Sequence, residues 1–236
     1  MSADEALGET APTATVTRRE AAMARALDQA RSRAENRVEL FLDAARELMN
    51  TNSGEFTVQE VVERSGQSLR TFYQYFAGKH ELLLALFEES IRTAAAHLED
   101  VVAASDTPLD RLRCFTNEYF RMCRLTPKGQ PASGPAPTIV EFAQQLLTSH
   151  PKEAAQAFAP LVAQLEELLT EAEAAGDVRP GLDLRQIAGV VLQATMFNSF
   201  AASISGSAVR LDGDVESDVE SDVLWNLLLH GIGSGD

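Results

Sequence analysis

The sequence predicts an all-α fold, with an N-terminal three-helix helix-turn-helix domain followed by a larger helical domain. Three observations predict it. The run from Phe56 to Leu86 holds two short amphipathic patterns separated by a glycine turn, and a longer pattern opens at Lys79. Beyond Ser105 apolar residues keep recurring at helical spacing, with no convincing alternating strand. A chain of 236 residues, 45% of them hydrophobic, supplies core for one small and one medium domain.

Residues 1–35 are expected to form a flexible basic extension, with residues 1–15 disordered. From Arg18 to Arg37 the six arginines Arg18, Arg19, Arg25, Arg31, Arg33 and Arg37 stand against only Glu20, Asp28 and Glu35. Its alanine-rich composition, with Met23 and Leu27, allows an extra helix, an arm ordered by DNA, or a solvated frayed tail. The first core helix is expected from near Asn36 to Asn50. There Val38, Phe41, Ala45 and Leu48 recur on one face, and the small polar stretch to Glu55, with Gly54, breaks the pattern.

Thr57 is a good N-cap, and Val58, Val61 and Val62 follow at helical spacing, so Thr57 to Ser65 should form one short helix ended by Gly66. Ser68 can cap the next helix, which puts Leu69, Phe72 and Phe76 on a buried side. Arg70, Tyr73 and Gln74 then face outward, with Thr71 and Tyr75 beside them. A guanidinium, an amide and hydroxyls on one short helix suit phosphates and base edges. Lys79 opens a further helix, where backbone amides also attract phosphate. That helix continues through Leu82, Leu83, Leu86, Phe87 and Ile91 toward Leu98 and Val102.

Gly66, Ser68, Thr71, Phe72, Tyr73, Tyr75, Phe76 and Lys79, followed by Glu81-Leu82-Leu83, resemble the signature of the TetR family of bacterial transcription regulators. Gln67 departs from the apolar residue common at its turn position, and Leu69 and Arg70 fall at variable positions, so no operator sequence transfers. The resemblance implies a DNA-binding domain over residues 36–80 and an effector-binding and dimerisation domain over residues 81–236. It also implies a homodimer on double-stranded operator DNA and a small effector. The candidate DNA contacts are Thr57, Gln67, Ser68, Leu69, Arg70, Thr71, Tyr73, Gln74, Tyr75 and Lys79.

Downstream, Pro108 can open a helix to about Arg124, and Pro127 to Pro137 reads as a Pro/Gly-rich loop. Further helices are expected from Thr138 to Ser149, Lys152 to Ala175, Asp183 to Ile204 and Glu216 to Ile232. The Asp183–Ile204 helix is apolar nearly all round, which calls for cover by a partner subunit. Trp225, Leu227, Leu228 and Leu229 add a second apolar surface for the same interface. The doubled DVES unit between these helices is a solvated linker or the acidic start of the last one. Phe115, Tyr119, Phe120, Met122, Phe142, Phe158, Met196, Phe197 and Phe200 are the candidate lining of an apolar pocket, although the same spacing serves plain core. Such walls favour a lipophilic effector, an acyl chain or a polycyclic molecule.

The net charge of −15 is divided unevenly: residues 1–80 carry −2, and Arg64 to Lys79 contains three basic residues and no acidic one. An acidic remainder disfavours general coating of DNA and favours selective binding. Cys114 and Cys123 form no CxxC pair or disulfide framework, and His80, His97, His150 and His230 are scattered without HExxH or paired Cys/His spacing. The expectation is a cytoplasmic, non-enzymatic repressor without metal or cofactor, and without membrane segments. The competing reading is a helical interaction protein, or a DNA-bound scaffold with no small-molecule ligand.

Overall fold

The computed structural model describes residues 17–51, 55–123, 137–205 and 225–233, and they are helical throughout apart from turns and one isolated bridge. The expectations for residues 1–15, for most of the Pro127–Pro137 loop, for the doubled DVES unit and for the side chain of Phe200 lie outside the described residues.

Helix α1 (Arg18–Thr51) runs for 34 residues. It starts on a reciprocal cap: the Thr17 amide donates to the Glu20 carboxylate at 2.7 Å, and the Glu20 amide donates to Thr17 Oγ1 at 3.3 Å. The helix is thus continuous through residue 36, where the first core helix was expected to begin. Its first half is exposed, with Met23 and Leu27 uncovered, and burial begins at Phe41. An Arg31–Glu35 pair one turn apart, at 2.7 Å, supports the exposed half.

Helices α2 (Val58–Ser65) and α3 (Leu69–Tyr75) pack beneath the end of α1, and α4 (Lys79–Val102) leads away from them. At 1.5 Å per residue the 24 residues of α4 span about 36 Å. Its buried stripe runs from Leu82 and Leu83 through Phe87 and Ile91 to Leu98 and Val102, so a single rod enters the cores at both ends. Arg46 on α1 is hydrogen-bonded to Glu89 on α4, which braces the two helices where they pass.

The larger domain is built around α7 (Pro151–Ala175), which packs on α4, α5 (Pro108–Cys123), α6 (Pro137–Ser149) and α8 (Leu184–Ser205). Leu161, Leu165 and Leu169 on α7 are buried, with Leu112 and Phe115 of α5, Leu146 of α6 and Leu192 of α8 in the same core. Helix α7 ends at Gly176, whose φ of +90° is left-handed and strained for any side chain. Residues 225–232 form α9, and its end is tied to the α7–α8 connection: the Arg179 amide donates to the Ile232 carbonyl at 3.0 Å beside a Val178–Gly233 bridge. Among the described residues no helix is long and apolar enough to cross a membrane.

Candidate nucleic-acid interface

The geometry of α2 and α3 follows from three short-range devices. Thr57 and Glu60 form a capping box: Thr57 Oγ1 accepts from the Glu60 amide at 3.3 Å, and the Thr57 amide donates to the Glu60 carboxylate at 2.7 Å. Bonds from the Thr57 hydroxyl and amide, with the nearby Lys79 charge, hold the Glu60 carboxyl below its usual range. Gly66 then turns the chain with φ +66°. A Cβ there meets nothing within 4 Å, so backbone conformation alone requires glycine. Ser68 restarts the helix, its Oγ accepting from the Thr71 amide at 3.0 Å and lying 2.8 Å from Thr71 Oγ1.

Aromatic packing fixes which face of α3 looks out. The Phe72 ring lies 5.3 Å from Phe41 and 5.5 Å from Phe76, and Phe41 and Phe72 are fully buried. Arg70, Tyr73 and Gln74 are exposed on the far side, while Thr71, Tyr75 and Gln67 are half-buried. Leu69 was expected on the buried side with Phe72 and Phe76, and the structure corrects this: it is 42% exposed. As the first residue of a helix whose Cα–Cβ bonds tilt toward its N-terminus, Leu69 points past the end of α3 rather than down onto the core.

The three basic residues of this unit differ in how much of their charge is available. Arg64 pairs with Glu47 of α1 at 3.0 Å. Lys79 Nζ donates to the Phe56 carbonyl at 2.6 Å and sits 4.4 Å from the centre of the Phe56 ring, tying the start of α4 to the start of α2. Arg70 has no ion-pair or hydrogen-bond partner among the described residues, and this was not visible in the sequence.

The larger domain holds two concave sites. A cleft of about 720 Å³ between α6, α7 and α8 is lined by Leu147, Ala154, Phe158, Val162, Gly189 and Phe197 among others, together with Gln193 and Arg185, which pairs with Glu166 at 3.2 Å. Of the nine aromatic and methionine residues proposed as pocket lining, Phe158 and Phe197 line this cleft. Phe115, Tyr119, Phe120, Phe142 and Met196 are buried in the core, and Met122 is half-buried against it. The small residues Ala154, Ala155, Ala159 and Gly189, which leave the space, were overlooked, because alanine at helical spacing reads as close packing. The second site is an open apolar groove of about 500 Å³ between α8 and α9, lined by Leu182, Ile187, Val190, Val191, Leu227 and Ile232 among others.

Cys123 and Tyr119 meet inside this domain, where the Tyr119 hydroxyl donates to the Leu192 carbonyl at 3.3 Å. Burial pushes the Cys123 thiol up to about 12 and raises the Tyr119 phenol well above its ordinary value. Such a thiol is inert at neutral pH.

Residues 41–86, which are α2, α3 and the flanking parts of α1 and α4, match the sequence profile of the bacterial regulatory proteins of the tetR family. That unit is a TetR-family helix-turn-helix. The chain is 26% identical over 185 residues to the HTH-type transcriptional regulator EthR of Mycolicibacterium smegmatis, covering 76% of the present chain and 82% of that one. Its fold is similar to that of the transcriptional regulator FadR from Bacillus subtilis, solved in complex with stearoyl-CoA (TM-score 0.59, 19% identity, 82% of this chain and 98% of that one). It is also similar to a TetR-family regulator from Cytophaga hutchinsonii (TM-score 0.60, 16% identity, 86% and 98%). These relatives are transcriptional regulators rather than enzymes, in line with the helical architecture of an N-terminal helix-turn-helix and a larger helical domain.

Proposed function

We propose that this regulator is a homodimeric repressor that leaves a partly palindromic operator when a small lipophilic effector binds its helical domain. The observation that carries the DNA half is the outward face of α3: Arg70, Tyr73 and Gln74 are exposed on a doubly capped helix, and Arg70 has no partner among the described residues. In this reading Arg70 and Gln74 read base edges in the major groove, and Leu69 and Gln67 approach bases from the turn. Thr57, Ser68, Thr71, Tyr73, Tyr75 and Lys79 hold phosphates. Lys79 keeps ammonium donors beyond the one spent on Phe56, and it stands at a helix N-terminus that favours anions.

Two such helices reach successive major grooves, about 34–36 Å apart, only in a dimer. The apolar groove between α8 and α9 supports one, because Val190 and Leu227 there are 59% and 72% exposed in the single chain. The cleft between α6, α7 and α8 is the proposed effector site. Its volume falls in the usual range for small-molecule sites, and its apolar walls together with Arg185 and Gln193 suit an acyl chain carrying a polar end. The stearoyl-CoA bound by the Bacillus subtilis regulator supports that ligand class. Helix α4 supplies the link. It touches α6 and α7 near the cleft and starts three residues after α3, so a tilt imposed at one end reorients the other.

The test is a shift assay with promoter fragments recovered by genome-wide footprinting. Competitor-resistant binding that weakens steeply with salt, and release by long-chain acyl-CoA, are expected. Binding indifferent to sequence would remove the operator reading, and binding that no lipophilic ligand reverses would favour a DNA-bound scaffold.

A further inference from the structure

Three side chains that lie far apart in sequence meet where α4 begins and α7 begins. His80 is in the first turn of α4, while His150 and Glu153 stand at the N-terminus of α7. His80 Nε2 lies 2.8 Å from Glu153 Oε2, and His150 Nδ1 lies 3.7 Å from Glu153 Oε1. One donor atom from each of the three falls within 4.8 Å of the others. The two imidazole rings are 4.7 Å apart, and Phe142 of α6 packs edge-on against His80 at 5.3 Å, which limits how that ring turns. The three side chains are partly open to solvent: His80 and His150 are 44% exposed and Glu153 is 38% exposed.

We propose that His80, His150 and Glu153 form a binding site for a divalent transition ion of the zinc class, which pins the first turn of α4 to the α6–α7 corner. Two imidazoles and one carboxylate are a donor set that zinc accepts, with metal–ligand distances of about 2.0–2.2 Å and water in the fourth position. Tetrahedral donors at those lengths stand about 3.3 Å apart, and the three donor atoms already lie within 4.8 Å of one another. A cation near two helix N-termini is disfavoured by their dipoles, and the Glu153 carboxylate offsets that charge. An ordinary His80–Glu153 ion pair explains one contact, but it leaves the approach of His150 to both partners without a role.

The site stands independently of the DNA reading, and its consequence rests on it. Metal bound here fixes α4 relative to α7 at His80, five residues beyond Tyr75, the last residue of the recognition helix α3. The test uses the full-length chain free of any histidine tag. Zinc chloride titrated calorimetrically is expected to bind with one site per chain, and His80→Ala or Glu153→Gln is expected to weaken it at least tenfold. Hydrogen exchange should slow on zinc addition at the first hydrogen-bonded amides of both helices, from Leu82 in α4 and from Ala154 in α7. Because the three side chains reach solvent, these variants should fold, and unfolding curves without zinc check that they do. Binding that is absent, substoichiometric, or equal in the parent and both folded variants would overturn the site. Saturable binding with no protection in either turn would overturn the clamp.

Discussion

Replacing Arg70 with alanine removes an exposed guanidinium that has no ion-pair or hydrogen-bond partner among the described residues. Stability should stay within about 0.5 kcal/mol of the parent, as for other surface positions. Loss of a bidentate base contact costs about 1 to 3 kcal/mol per half-site, or roughly 5- to 150-fold in affinity. A palindromic operator engages two chains, so the loss on the full site should approach the square of the loss on a half-site. Lys79→Ala is the comparison. It should weaken all sequences alike and lower the salt slope by about one per chain, and it should also cost some stability because Lys79 holds the Phe56 carbonyl. Fluorescence anisotropy with operator, half-operator and scrambled duplexes at several salt concentrations measures both variants. If Arg70→Ala binds the operator as the parent does, or loses operator and scrambled duplex equally, then α3 does not read sequence through that side chain.

Three further outcomes follow from the packing. Phe72→Ala deletes a fully buried ring in contact with Phe41 and Phe76, and should lower stability by about 3–5 kcal/mol in chemical or thermal unfolding; a change under about 1 kcal/mol would place that ring outside the core. Val190→Glu or Leu227→Glu sets a charge in the apolar α8–α9 groove and should turn a dimer into monomers in sedimentation, whereas an unchanged dimer would move the interface elsewhere. Cys123 and Tyr119 give a pH dependence. Both groups lose protons more readily when unfolded, so their contribution is complete below about pH 9 and falls as pH rises from there through the raised folded values, about 12 for Cys123. Cys123→Ala should flatten that alkaline decline in a pH series of unfolding midpoints, and an identical decline would assign it to other groups.

The helix-turn-helix was legible because its determinants are local. Thr57, Gly66 and Ser68 each act within four residues of their own positions, and Phe72 and Phe76 share a face through helical spacing alone. Leu69 was misplaced by extending that spacing into the first residue of a helix, where no preceding turn lies beneath the side chain. The start of α1 was written in the sequence as Thr17 and Glu20, three residues apart, yet the segment has no apolar stripe, and periodicity is the stronger signal. Of the residues expected to line a pocket, Phe158 and Phe197 border the cleft between α6, α7 and α8. Large apolar residues that fill a core and those that line a cavity have the same spacing. What makes the space is Ala154, Ala155, Ala159 and Gly189, whose smallness has meaning only once α6 and α8 flank them. The approach of His80 to Glu153 spans 73 positions and had no local trace.

Because the same rod, α4, completes the hydrophobic interior under the head and again beneath α7, neither part is expected to be autonomous. A fragment cut after residue 78 would present Phe72, Phe76 and Phe41 with their ceiling missing, and would be prone to clump rather than to work as a miniature binder. Heating should accordingly melt the described helices in one cooperative step.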